Sequence, residues 1–135
     1  MIATVVFFLF LSMMSPFDTV QEKSIHEYVV GEWSWIRTEV HSRGGGSVDT
    51  PETCQCKRTL TVAENGVMTL KENGKIIFQG SYNLSERILP NDEMDYHMES
   101  DHLSGQIRIL ENDQLGVGAF GSCGIIQFYQ RKQTN

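Results

Sequence analysis

Hydrophobic and polar residues alternate along most of the chain from residue 30 onward, in short segments that turn-forming residues separate. A period of two is typical of strands that bury one face. Asn65-Gly66 and Asn73-Gly74 lie between three of these segments, and Asn-Gly is a strong signal for a two-residue hairpin turn. The pattern predicts about eight strands, at residues 30–41, 55–64, 67–71, 75–84, 93–99, 106–111, 114–120 and 125–131.

The predicted strands follow one another with no convincing helical pattern between them, which favours an all-β fold. An up-and-down antiparallel sheet removes its exposed edges most completely when it closes into a barrel. We therefore expect an antiparallel up-and-down barrel of about eight strands, whose interior is either filled by side chains or holds one small ligand. A two-sheet sandwich is the alternative architecture.

Residues 1–14 form an apolar run that contains no charged residue. The run is too short for a membrane-spanning helix, which needs about 20 apolar residues, and its length fits a secretory signal. We predict a signal peptide over residues 1–20, a lead-in over 21–29, a barrel domain over 30–132 and a tail over 133–135. The expected location is secreted or periplasmic, without a stable membrane span after signal removal. An uncleaved anchor or a core segment is the alternative interpretation.

The chain is acidic, with a formal net charge of −6 and a pI of about 5.1. Binding to nucleic acid or to an anionic membrane draws on clustered Lys and Arg, so we expect neither as a partner. The sequence carries no Gly-x-Ser-x-Gly elbow, no phosphate-binding glycine-rich loop and no His-Glu-x-x-His pair. We accordingly predict a protein that is not an enzyme and that uses no cofactor.

Residues 92–102 are the most polar stretch, and alternation places Glu93, Asp95, His97 and Glu99 on one face of a strand. Such side chains can bind a divalent metal, but zinc sites usually repeat His or Cys at tighter spacings. We interpret this face as solvated outer surface and predict no metal site.

The chain has three cysteines, Cys54, Cys56 and Cys123. Export favours a disulfide, and an odd count leaves one thiol over. In an up-and-down barrel the loop after the first strand and the turn before the last strand lie at the same end, so we predict that Cys54 or Cys56 pairs with Cys123. A bridge between Cys54 and Cys56 is less favourable because so small a ring strains a strand. Three reduced thiols are the remaining alternative.

Gly31-Glu32-Trp33 opens the first predicted strand, and this Gly-x-Trp resembles the signature of the lipocalins. In that family the Trp lies at the closed end of the barrel, and a basic residue late in the last strand packs across it. The resemblance implies that Gly31, Trp33 and Arg131 close the barrel. Across residues 30–132 the chain is similar to the small bacterial lipocalin-like domains. Further short matches are Trp33-Ser34-Trp35, Gly44-Gly45-Gly46, Thr50-Pro51, Arg58-Thr59-Leu60-Thr61-Val62 and Glu72-Asn73-Gly74-Lys75.

A lipocalin-like fold implies that a small apolar or amphipathic molecule binds inside the barrel. Our candidate ligand-binding residues are Trp35, Arg37, Phe78, Tyr82, Tyr96, Met98 and Phe128. Arg37 or a Tyr hydroxyl would fix the polar end of the ligand. However, Arg37 and Glu39 continue the face of the two Trp residues, and because buried charges are costly we expect a β-bulge that rotates this strand.

The same aromatic and Met residues can instead form a filled core. In that case we expect a protein-binding or structural envelope barrel, such as an inhibitor or scaffold module. Its partner would contact the loops around residues 43–53 and Ser122, because loops on a rigid scaffold often carry binding functions.

Overall fold

Antiparallel strands make up most of the chain in the computed structural model, which describes residues 24–121 and 123–133. The predicted signal peptide over residues 1–20 and Ser122 therefore lie outside the described residues. The elements are α1 (Ile25–Val29), β1 (Gly31–Ser42), β2 (Gly45–Asp49), α2 (Pro51–Cys54), β3 (Arg58–Val62), β4 (Val67–Glu72), β5 (Lys75–Ser81), β6 (Asn83–Ile88), β7 (Met94–Glu99), β8 (Gly105–Leu110), β9 (Gln114–Gly118) and β10 (Gly124–Arg131).

The strands form one sheet in the order β5-β4-β3-β1-β10-β9-β8-β7-β6, and β2 pairs with β1 outside this path. Every pairing is antiparallel, and β1 and β10, the first and last strands in chain order, are neighbours. The path ends at β5 and β6, which are separated in sequence by Tyr82 alone. The sheet is therefore a curled half-barrel, which confirms the all-β antiparallel class.

The described part of the chain has ten strands, whereas the hydrophobic pattern predicts about eight. The first additional strand, β2, lies between the predicted strands at residues 30–41 and 55–64, where no strand is predicted, and all five of its residues are exposed. The second, β6, lies where a loop is predicted after Leu84, and five of its six residues are exposed. Because neither strand buries a whole face, backbone pairing forms them without an alternating pattern.

A β-bulge between Trp35 and Arg37 confirms the predicted rotation of the first strand. Trp35 pairs with Tyr129, but Arg37 pairs with Phe128, so β1 gains one residue relative to β10. Phe128 and Tyr129 are adjacent and face opposite sides of the sheet. The bulge therefore keeps Trp35 on the inner face and moves Arg37 to the outer face.

The core lies on the concave face of the half-barrel, where Trp33, Leu60, Met68, Met98 and Leu115 are completely buried. Each such apolar side chain contributes roughly 1.5–3 kcal/mol of hydrophobic stabilisation. The short helix α1 covers one end of this core, which we call the closed end. It buries its apolar residues there, and Trp33 Nε1 donates a 2.9 Å hydrogen bond to a backbone carbonyl at its end.

Candidate functional site

The closed end joins the three residues that the lipocalin resemblance singles out. The Arg131 guanidinium lies 4.2 Å from the centre of the Trp33 ring and 5.0 Å from that of Tyr28. It donates hydrogen bonds to the carbonyl oxygens of Val30, at 3.3 Å, and of Tyr28. Gly31 has a φ of +144°, and a Cβ there would lie 2.9 Å from Arg131 Nη1. Arg131 can therefore approach this closely only because residue 31 is a glycine and has no side chain.

Five of the seven candidate ligand-binding residues contribute to the core cluster. Trp35, Tyr82 and Met98 are buried members of this cluster, and Phe78 and Tyr96 pack against it partly exposed. The Tyr82 hydroxyl donates to the Ala63 carbonyl at 2.7 Å, and burial raises the pKa of this phenol. These side chains pack against one another, so the barrel interior around them is filled.

Arg37 and Phe128 lie on the face of the sheet opposite to Trp35, and neither belongs to the core cluster. The Arg37 guanidinium covers the Phe128 ring, with its Cζ 3.8 Å from the ring centre. Its Nε also donates to Glu39 at 2.9 Å. The Phe120 and Phe128 rings are nearly perpendicular, with their centres 6.3 Å apart. The bulge that avoids burying Arg37 is the physical cause of this placement.

A cleft opens away from α1, where β3 begins and β4 ends, and its volume is about 230 Å³. We call it the open-end cleft. Its lining residues are Arg58, Leu70, Lys71, Glu72, Ile77, His102, Leu103, Gln127 and Tyr129. The candidate residues from the sequence include none of these, although Arg58 begins the strand whose residues Leu60 and Val62 face the core.

Charged groups form the mouth of the open-end cleft, and buried apolar groups form its floor. Arg58 Nε donates to Glu72 Oε1 at 3.0 Å, and both side chains are about one third exposed, at 35% and 36%. The Arg58 guanidinium also lies 4.5 Å from the centre of the Trp35 ring. Leu70 and Tyr129 are buried beneath this pair.

Tyr129 is the most deeply buried polar group of the cleft. Its hydroxyl donates to Gln127 Oε1 at 3.3 Å. Burial raises the pKa of this phenol, while the positive charge of Arg58 acts in the opposite direction. Tyr129 is therefore neutral at physiological pH, and its ring contributes apolar surface to the floor.

The loop between β7 and β8 completes one wall of the cleft. The His102 ring stacks on Phe78 of β5, with 5.2 Å between the ring centres and an angle of 11°. Ser100 fixes the loop, because its hydroxyl donates to the Leu103 carbonyl at 2.6 Å and accepts from the Leu103 amide at 2.9 Å. This wall joins residues that are distant in sequence, so no local pattern reveals it.

The cysteines do not pair as predicted. The Sγ atoms of Cys54 and Cys56 are in direct contact, and their Cα atoms are 5.2 Å apart, which fits a disulfide. Cys123 is exposed and has no disulfide partner among the described residues. The expected ring strain on a strand does not arise, because Cys54 ends α2, Gln55 is left-handed with a φ of +52°, and β3 begins only at Arg58.

The pairing register shows why Cys123 lies apart from the other two cysteines. The β1–β2 hairpin places Asp49 opposite Thr38, so α2 begins beside the middle of β1. Cys123 directly precedes Gly124, which lies opposite His41 near the end of β1. The two segments therefore leave β1 at different levels, and the loops that the barrel topology predicts at one end do not meet.

On the polar face of β7, Asp95 is buried, with 5% of its surface exposed, although we predict a solvated face. Its Oδ2 accepts hydrogen bonds from His97 Nε2 at 2.8 Å and from Arg87 Nη2 at 2.9 Å. The His97 hydrogen bond, followed by that of Arg87, lowers the pKa of the Asp95 carboxyl. The same side chain leaves Oδ1 buried without a partner in the described part of the structure.

The described residues contain no group of three or more His, Cys, Asp or Glu side chains placed to hold a metal ion. In the same residues, no helix has the length and apolar character needed to cross a membrane. A search against models of known protein families finds no match to this chain, and a search of curated proteins finds no significant relative.

Proposed function

We propose that this chain is an exported, lipocalin-like binding protein that holds a small amphipathic molecule in the open-end cleft. The observation that carries the proposal is the gradient of polarity in the cleft, from the Arg58–Glu72 pair at the mouth to Leu70 and Tyr129 at the floor. Ligand pockets typically combine an apolar lining with a few placed polar groups. The apolar N-terminal run over residues 1–14 supports export.

The size of the cleft restricts the ligand. Its volume of about 230 Å³ is below the ~300–1,000 Å³ of pockets for drug-sized ligands. Because Trp35 and Met98 are buried in the packed core cluster, a long acyl chain has no space to extend into the core. The proposed ligand class is therefore a single-ring or short-chain molecule with one polar end.

The polar end of the ligand would meet Arg58 and Gln127, while its apolar part contacts Leu70 and Leu103. A guanidinium can donate two parallel hydrogen bonds to a carboxylate. Arg58 offers only its Nε to Glu72 in the described contacts, and this leaves its terminal nitrogens for a ligand. A small aromatic carboxylate is accordingly the best first probe.

The test is a titration of the protein with benzoate and with uncharged benzamide. Binding is monitored by intrinsic Trp fluorescence, because Trp35 lies under Arg58. We expect a saturable change with benzoate and at least a fivefold loss of affinity in Arg58→Gln. Arg37→Gln is a matched control, since Arg37 also covers an aromatic ring, pairs with a Glu and is about one third exposed, at 34%. Equal losses in the two variants, or no saturation with either probe, would contradict cleft binding.

A protein-binding barrel is the second candidate, and the filled interior favours it. The partner would contact the loops around residues 43–53, where β2 is exposed along its whole length. A photo-crosslinking residue at Val48, which is 55% exposed, tests this surface in the exported fraction. A discrete crosslinked product, together with no benzoate response, would favour this candidate over the cleft.

A further inference from the structure

The Cys54–Cys56 pair lies in the turn between α2 and β3, two residues before Arg58 at the mouth of the open-end cleft. Cys54 is exposed at the end of α2, whereas Cys56 is half-buried and packs against the core cluster. An external thiol therefore has direct access to one sulfur of the pair and much less access to the other.

The stability of this turn does not depend on a covalent link. Thr50 and Thr53 form a reciprocal capping box, with side chain to backbone distances of 2.8 and 3.3 Å. Lys57 N donates to Asn73 Oδ1 at 2.9 Å, and Asn73 N donates to the Lys57 carbonyl at 2.7 Å. These bonds hold both ends of the segment, so we expect the turn to persist when the cysteines are reduced.

A disulfide here also contributes little by restricting the unfolded chain. That contribution falls with the number of residues in the closed loop, and only one residue separates Cys54 from Cys56. The separating residue, Gln55, is left-handed with a φ of +52°, a conformation that disfavours residues with a side chain. Exposed disulfides are more easily reduced than buried structural ones.

From this placement we propose that Cys54–Cys56 is a surface disulfide that exchanges with external thiols, so that the protein accepts two electrons from a dithiol or from two monothiols. An external thiolate attacks Cys54 Sγ, a mixed disulfide forms, and Cys56 leaves as a thiolate that takes a proton from water. A second external thiolate then attacks the sulfur of the first external thiol in the mixed disulfide. This step releases an oxidised external disulfide and the Cys54 thiolate, and the net change is two thiols oxidised for one protein disulfide reduced.

The test uses the full exported chain with Cys123→Ser, which leaves two cysteines. The oxidised protein is equilibrated with glutathione of varied redox ratio, trapped by alkylation and measured by mass spectrometry, while circular dichroism follows the fold. We expect complete, reversible reduction under native conditions with an unchanged circular dichroism spectrum. A pair that never oxidises, that resists reduction until the protein is unfolded, or whose reduction unfolds the protein would overturn the proposal.

Two single-thiol proteins test which sulfur is attacked. Cys56→Ser with Cys123→Ser keeps Cys54, and Cys54→Ser with Cys123→Ser keeps Cys56. We expect Cys54 to form a mixed disulfide with oxidised glutathione at least tenfold faster than Cys56, and equal or reversed rates would overturn the assignment of Cys54. The turn directly precedes Arg58 of the cleft, so benzoate binding is measured on the oxidised Cys123→Ser protein before any thiol is added, and failure of cleft binding is then distinguishable from failure of thiol exchange.

Discussion

Arg131 and Arg108 both cover aromatic rings, but their surroundings differ. Arg131 stacks on Trp33 and also donates to two backbone carbonyls at the closed end. Arg108 is exposed, and its guanidinium lies 4.4 Å from the centre of the Phe120 ring. Hydrogen bonds from charged groups stabilise more than an exposed cation–π contact does.

Replacing Arg131 is expected to destabilise the fold. Arg131→Ala leaves the carbonyls of Val30 and Tyr28 without these donors and removes the cover of Trp33. We expect a loss of about 2 kcal/mol in the free energy of unfolding, measured by urea denaturation. Arg108→Ala is the control and is expected to lose about 0.5–1 kcal/mol or less. Equal losses would show that the closed-end hydrogen bonds add nothing beyond stacking.

The lowered pKa of Asp95 predicts how the free energy of unfolding depends on pH. Its folded pKa is lowered by His97 and Arg87, so its contribution is present above the unfolded Asp pKa of about 3.9 and is lost as pH falls through the lower folded value. Asp95→Asn should therefore be less stable than the parent protein at neutral pH, and the difference should shrink as the solution becomes strongly acidic. Urea denaturation between neutral and acidic pH measures this, with exposed Asp101→Asn as control. A difference that does not change with pH would contradict the ionic role of Asp95.

At the scale of the elements, β2 and β10 are unequal partners of β1. All residues of β2 are exposed, whereas β10 contributes three buried residues, Ile126, Phe128 and Tyr129. Strands with few buried apolar contacts open locally at low free energy. The hairpin between β1 and β2 should therefore open without disturbing the barrel.

Amide hydrogen exchange checks this expectation. The backbone amides of β2 should exchange through local opening, with protection at least tenfold lower than that of the paired amides of β10. The exchange of β10 should follow global unfolding, because this strand crosses the core between β1 and β9. Equal protection of β2 and β10 would contradict an independently opening hairpin.

These elements also explain how much of the architecture the sequence predicts. Alternation locates the strands that bury one face, and it places Trp33 and Trp35 inside and calls for the bulge before Arg37. It does not reveal β6, because residues such as Ser85 and Glu86 are exposed and only backbone pairing defines the strand. The alternation of hydrophobic and polar residues reflects which side chains are buried. A strand without a buried face therefore shows no alternating pattern in the sequence.

The open-end cleft was beyond prediction for a different reason. Arg58 begins a strand with clear alternation, but its partner Glu72 and the stack of His102 on Phe78 depend on how the sheet curls. The cysteine contact depends on the left-handed Gln55, which no turn signal such as Asn-Gly marks. Contacts between distant segments follow from the curvature of the sheet, which local spacing does not contain.

For the molecule as a whole, the half-barrel combines a filled core with the open-end cleft. Its first and last strands pair, α1 covers the closed end, and the β7–β8 loop reaches β5 beside the cleft. A binding protein of this shape would hold its ligand at the edge of the core, because Trp35, Tyr82 and Met98 occupy the interior.

The most direct test of this account is a chemical-shift titration of the isotopically labelled protein with benzoate. We predict saturable shifts at Leu70, Leu103 and Tyr129 in the cleft, with Leu115 in the core and Phe128 on the outer face unchanged. Shifts confined to the outer face, or no saturable shift at any cleft residue, would contradict the assignment of the open-end cleft as the binding site.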